Sequence, residues 1–140
     1  MAGFVFSGLP FGWVRLVILG AMFKILLVCM GNICRSPLAA SVMHAEVARR
    51  QLADRVALDS AGTLGAHQGE KADRRAVALA QERGYDQILR ERARKVIDED
   101  FDRFDLILAM DRDNLGQLQR ICPEHHQHKL HLFLEYAGVE

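Results

Sequence analysis

The sequence predicts an α/β fold built on a parallel sheet, and three observations carry that prediction. Short, mostly apolar runs at 25–28, 56–58, 106–110 and 130–134 read as strands, the first of them continuously apolar as in a strand buried on both faces. Stretches with helical periodicity alternate with these runs, at 37–52, 72–83 and 112–121. Alternation at this spacing implies right-handed βαβ crossovers, which place ligand chemistry at the carboxyl ends of the strands.

Taken in order, Ile25-Leu26-Leu27-Val28 is the first strand. Pro37 opens a helix that runs to about Leu52, with Leu38, Val42, Ala45 and Leu52 expected near one buried face. Val56-Ala57-Leu58 forms the second strand and passes into a turn-rich loop, Asp59-Ser60-Ala61-Gly62-Thr63. A helix over Ala72–Arg83 ends at Gly84, where a C-terminal glycine belongs. The Arg90–Arg94 cluster is expected to be a solvated connector. Asp98-Glu99-Asp100 reads as the solvated start of a single helical turn ending near Arg103, with its carboxylates favoured by the helix dipole. Leu106–Met110 is the third strand. Arg112–Ile121 is a helix stopped before Pro123, and Leu130–Leu134 is the fourth strand.

Composition limits what such a fold can be. The chain has 140 residues, half of them apolar, enough for one core and too few for two domains. Its 18 basic and 18 acidic residues balance, which argues against a general nucleic-acid binder and a polybasic membrane anchor. The three cysteines are not a secreted disulfide framework and point to the cytoplasm. Residues 1–21 carry one charge, Arg15, and are expected to lie outside the domain as a disordered extension. The apolar stretch from Val14 to Val28 is interrupted by Arg15 and Lys24. It falls short of the ~18 uninterrupted apolar residues of a membrane span, so no stable membrane insertion is expected. No basic residue precedes Phe4–Phe11, so a signal peptide fits poorly.

The chemistry concentrates in Val28-Cys29-Met30-Gly31-Asn32-Ile33-Cys34-Arg35-Ser36-Pro37, between the first strand and the first helix. Free N–H groups of a loop and helix start converge there, and the dipole adds positive potential, which makes an anion site. Cys29 ends the strand facing that site, where the field favours a thiolate nucleophile. Arg35 offers a planar fork for two oxygens of a phosphate-like oxyanion. Gly31 and Asn32 are suited to left-handed conformations in a tight loop. The Ser36 hydroxyl can donate to the sulfur and stabilise it as a leaving group.

These residues, followed by "DSAGT" and "FDLILAMDRDNL", resemble the low-molecular-weight protein tyrosine phosphatase family in its bacterial branch, from about Met22 onward. The resemblance implies a three-layer αβα fold of the phosphotyrosine phosphatase I-like type with a four-stranded parallel sheet, and cytoplasmic, cofactor-free phosphatase chemistry. It implies that Cys29 attacks phosphorus, and that Arg35 and the amides of Met30, Gly31, Asn32, Ile33, Cys34 and Arg35 hold the phosphate oxygens. Ser60 and Asn32 would support the loop. Asp111 would end the third strand beside the site, a position that also suits the N-cap of the next helix. Cys34 is a candidate redox partner of Cys29, with plain loop packing as the alternative. A phosphotyrosine protein is the implied substrate, and a bacterial tyrosine kinase the implied partner.

The sequence also departs from the family. The family's general acid is an aspartate in an Asp-Pro-Tyr loop, whereas the prolines here are at 10, 37 and 123 and none follows an aspartate. The domain over 22–140 is therefore expected to lack the general-acid loop and final helix, with marginal stability and slow turnover of poor leaving groups. General acid catalysis is typically worth ~10²–10⁴-fold. Nothing aims Glu135 or Glu140 as a substitute. Ala66, before His67, stands where many members carry an aromatic, which weakens discrimination by stacking. Cys122 is expected to be an inert thiol. His125, His126, His128 and His131 lack helical spacing and a nearby carboxylate, so no metal site is expected. Two rival readings stay open: an arsenate reductase of the same fold, and a phosphate-binding pseudo-phosphatase.

Overall fold

The computed structural model describes residues 22–138. The extension over 1–21 and the terminal Glu140 lie outside the described residues. Four strands, β1 (Phe23–Cys29), β2 (Val56–Gly62), β3 (Leu106–Ala109) and β4 (Leu130–Leu132), form one parallel sheet in the order β2-β1-β3-β4. Five helices connect or follow them: α1 (Arg35–Arg49), α2 (Arg74–Glu82), α3 (Asp98–Arg103), α4 (Arg112–Ile121) and α5 (Phe133–Tyr136). Two 3-10 segments cover Asp86–Arg90 and Glu124–Lys129. Among the described residues no helix is long and apolar enough to cross a membrane.

The sheet is buried on both faces, which explains why β1 from Ile25 onward and all of β3 are continuously apolar. Phe23, Ile25, Leu27, Leu106 and Leu108 pack with Ala40 and Met43 of α1 and with Phe133 and Tyr136 of α5. Leu26, Val28, Ile107 and Ala109 pack on the opposite face with Phe101, Phe104, Leu118 and Cys122. These are the three layers expected from the family. A satellite cluster of Ala72, Ala76, Ala80 and Ile88 binds α2 to Leu38 of α1.

Several boundaries and faces differ from the sequence reading. The turn-rich Asp59–Gly62 is strand, because it pairs in register with Leu26–Cys29 of β1. The fourth strand stops at Leu132, and Phe133–Tyr136 turns into a helical segment that returns Phe133 and Tyr136 to the core. The buried face of α1 is Ser36, Pro37, Ala40 and Ser41, not Leu38, Val42, Ala45 and Leu52. Small side chains let the helix approach the sheet closely, while Leu38 serves the α2 cluster and Leu52 lies past the helix end. Asp100 is not solvated: it is fully buried and accepts from the Ile97 N–H at 2.8 Å and from Arg94. Gly84, at φ +81°, does end the second helical segment in the left-handed region.

Candidate active site

Cys29 is the last residue of β1, a central strand, so its side chain emerges at the carboxyl edge between β2 and β3. Its Sγ lies 3.0 Å from Ser36 Oγ and accepts the Asn32 N–H at 3.3 Å. The connecting loop, residues 30–34, turns back into α1 through Asn32, whose φ of +59° is left-handed. Gly31 does not share that conformation, contrary to expectation. Its smallness serves contact instead, since a Cβ there would meet His67 Cδ2 at 3.1 Å.

The end of β2 clamps this loop. Thr63 N–H donates to Cys29 O at 2.9 Å and Leu64 N–H to Met30 O at 3.0 Å. Gly62 is required for that approach, because a Cβ on it would lie 2.5 Å from Met30 O and 3.1 Å from Gly31 C. Asn32, 2% exposed, ties the layers together. Its Nδ2 donates to Ser36 Oγ at 2.8 Å and Ser60 Oγ at 2.9 Å, and its Oδ1 accepts the Arg94 N–H at 2.9 Å. Asn32 and Ser60, named together as loop supports, are thus hydrogen-bonded to each other.

Arg35 opens α1 and meets Asp111, the N-cap of α4. Asp111 Oδ1 accepts the Asn114 N–H at 2.7 Å, and Oδ2 accepts from Arg35 Nη1 at 2.6 Å. That hydrogen bond raises the Arg35 guanidinium further above its ordinary value. Arg35, together with the backbone N–H of Asn114, holds the Asp111 carboxyl below the ordinary carboxylate range. Asp111 is therefore both cap and partner of the loop arginine.

Cys34 sits exposed at the N-cap of α1, while Cys29 and Cys122 are buried; all three are free thiols. Burial pushes the Cys122 thiol up, consistent with an inert group beside Pro123. Ala66 is exposed and puts no ring beside the loop; the neighbouring ring is His67, whose Nδ1 bonds Glu70. Glu135 is engaged with Arg112 at 2.8 Å.

Sequence reasoning missed the second tier of the site. Arg94 is not a solvated connector residue. Its guanidinium lies between Asp59 Oδ2, at 3.1 Å, and both carboxylate oxygens of Asp100. Burial opposes its charge, but hydrogen bonds to Asp100 and the charges of Asp59 and Asp100 raise it on balance. Glu91 is also half-buried and accepts from Ser60 Oγ at 3.0 Å. Burial raises its carboxyl above the ordinary value against the hydrogen bonds from Ser60 and Gln87. The only sequence signal for either was a charged cluster, which more often marks solvent.

A carboxylate does approach the histidine run, contrary to expectation. Asp102 Oδ1 lies 2.7 Å from His126 Nε2, and Asp102, His125 and His126 place one donor atom each within 4.8 Å of one another. His128 and His131 are not part of that group.

Comparison with known proteins agrees with this architecture. Residues 24–140 match the family described as low molecular weight phosphotyrosine protein phosphatase. A putative low molecular weight protein-tyrosine-phosphatase of Synechocystis is 42% identical over 115 residues, covering 81% of this chain and 72% of the relative. A low molecular weight phosphotyrosine protein phosphatase of Schizosaccharomyces pombe is 40% identical over 116 residues, covering 82% and 73%. Among solved structures, a protein tyrosine phosphatase of Entamoeba histolytica with Hepes in its active site superposes with a TM-score of 0.78 at 39% identity, covering 81% of this chain and 72% of that one. YfkJ of Bacillus subtilis gives 0.80 at 32%, covering 86% and 76%. The relatives include eukaryotes, so the likeness is not confined to a bacterial branch. The family match over 24–140, with this sheet order and this strand–loop–helix site, establishes that the chain belongs to the low molecular weight phosphotyrosine protein phosphatase family.

Proposed function

We propose that residues 22–140 form a phosphatase domain that hydrolyses phosphotyrosine in proteins through a phospho-cysteine intermediate on Cys29. The observation that supports it most is the environment of one sulfur: Cys29 Sγ, buried at a central strand end, with Ser36 Oγ at 3.0 Å and the Asn32 N–H at 3.3 Å. In the first step Sγ attacks phosphorus, the bond from phosphorus to the aryl oxygen breaks, and the phenolic oxygen leaves with the electron pair. In the second, a water oxygen attacks phosphorus, the S–P bond breaks and the thiolate returns. Arg35 and the amides of residues 30–35 hold the non-bridging oxygens in both steps, as donors aimed at developing charge. Asn32, Ser60 and Asp111 keep the loop and Arg35 in place.

The substrate is a phosphotyrosine protein, and a bacterial tyrosine kinase is the partner proposed on the sequence resemblance. A cytoplasmic location is part of the same proposal, resting on the thiol usage. Rapid-quench trapping of a phospho-cysteine with an activated aryl phosphate tests the reading. The intermediate and turnover are expected in the wild type and absent in Cys29→Ser. Residual turnover unchanged in Cys29→Ser would refute it. Arsenate-dependent disulfide formation would instead favour the reductase reading, and oxyanion binding without turnover the pseudo-phosphatase.

A further inference from the structure

A cluster of metal-ligating side chains lies at the end of the sheet opposite Cys29. Asp102 is on α3, which leads into β3, and His125 and His126 are in the 3-10 segment Glu124–Lys129, which leads into β4. Both elements therefore approach the amino ends of parallel strands, whereas Cys29 sits at a carboxyl end. The histidine run lacks a carboxylate in its own stretch of chain, and the fold brings one to it from 24 residues away. Asp102 Oδ1 lies 2.7 Å from His126 Nε2. The His125 and His126 rings are 4.0 Å apart between centroids, tilted by 41°. One donor atom from each of the three residues lies within 4.8 Å of the other two. Asp102 and His125 are exposed, while His126 is largely buried and so fixes the position of the group.

We propose that Asp102, His125 and His126 form a binding site for one divalent transition-metal ion of the zinc type, joining α3 to the 3-10 segment. Two imidazole nitrogens and a carboxylate oxygen, with solvent in the fourth position, make a tetrahedral set. Imidazole ligands select zinc, nickel or copper over magnesium and calcium, which take oxygen. At Zn–N and Zn–O lengths of about 2.0–2.2 Å, tetrahedral ligand atoms stand about 3.3–3.5 Å apart. The Asp102–His126 contact has to open slightly to reach that spacing, and the exposed Asp102 and His125 side chains are free to adjust. His126 Nδ1 is buried and has no hydrogen-bond partner among the described residues. The hydrogen of the neutral ring therefore sits on Nε2 and is donated to Asp102. A metal on Nε2 takes the place of that hydrogen and moves it to Nδ1, where no acceptor meets it. This opposes binding and sets the expected affinity in the micromolar range. The ion would act as a staple at the amino end of the sheet and take no part in phosphoryl transfer, so the proposal is independent of the phosphatase reading.

The test is Zn²⁺ titration by calorimetry, Co²⁺ absorption and thermal melting of the full chain. Thiols also take zinc, so the measurements are made in Cys29→Ser/Cys34→Ser, which removes the loop thiols and leaves the proposed ligands. That variant is expected to bind one Zn²⁺ per chain, and its Co²⁺ complex to show ligand-field bands without a thiolate charge-transfer band. In the same background, Asp102→Asn and His125→Ala are each expected to weaken zinc binding at least about tenfold. His128→Ala, outside the group, is expected to leave it unchanged. The melting temperature is expected to rise with zinc in the parent and in His128→Ala, and to rise much less in the other two at the same concentration. No zinc bound by the cysteine double variant overturns the proposal. So does binding undiminished by Asp102→Asn or His125→Ala. An equal loss in His128→Ala also overturns it, since that marks diffuse capture by a histidine-rich segment. If one ligand variant does not melt cooperatively without metal, the other decides. Cys29-dependent turnover, measured on the wild type, bears on the phosphatase reading alone.

Discussion

Arg35 Nη1 and Asp111 Oδ2 are 2.6 Å apart, joining the first residue of α1 to the N-cap of α4 across the carboxyl ends of β1 and β3. Asp111 is itself fixed by the Asn114 N–H at 2.7 Å, so the arginine that opens α1 is oriented by a helix start on the neighbouring strand's crossover.

Asp111→Asn keeps the cap and removes the charge. Asp111 has its folded value depressed, so its contribution is present above the unfolded value of 3.8 and lost as pH falls through the folded one. Wild type is therefore expected to exceed Asp111→Asn in stability at neutral pH, with the gap closing in acid below 3.8. Both partners are substantially exposed, so the gap is small, below about 1 kcal/mol. Urea melts of both chains from pH 7 downward measure it; a gap that widened in acid would contradict the assignment.

Arg35→Lys keeps the positive charge and removes the planar fork. Loss of one oxyanion donor costs about 10²–10³-fold in kcat where the donor is aimed at developing charge. A fall of that order is expected for aryl phosphate turnover, with little change in melting temperature, because the side chain is half-exposed. A near-normal kcat would show that Arg35 serves Asp111 rather than substrate.

Gly62→Ala tests the close crossing of β2 and the loop after β1. Its Cβ would lie 2.5 Å from Met30 O, a backbone atom that cannot swing aside. The loop has to shift, which is expected to cost about 1–3 kcal/mol of stability and to weaken phosphate binding with it. Calorimetry and phosphate titration check both. Gly116→Ala, where nothing lies within 4 Å, is the control and is expected to be neutral or slightly stabilising.

Arg94→Met leaves Asp100, fully buried, without its guanidinium partner. Breaking a buried pair from one side typically costs about 3–5 kcal/mol. The double variant Arg94→Met/Asp100→Asn is expected to recover a large part of that loss, as a double-mutant cycle on denaturant melts would show.

The parallel sheet, its four strands and the strand–loop–helix site were legible in the sequence because each rests on local chemistry. Apolar runs mark strands buried on both faces, Pro37 marks a helix start, and Cys29 through Arg35 lie within seven consecutive residues. Asp111 was legible as a cap because capping is also local. What the sequence concealed were pairings between distant residues. Asp59–Gly62 carries turn-prone residues but is strand, since β1 supplies partners for it. Arg94 and Asp100 look like surface charge until the chain brings Asp59 and Asn32, 35 and 62 residues away, against Arg94. The same holds for Glu91 and Ser60, 31 residues apart. Local sequence determined where the strand–loop–helix site lies. Only the tertiary structure decided which buried charges hold that place rigid, because a charge is stable inside the protein only beside its partner, and the fold alone supplies the partner.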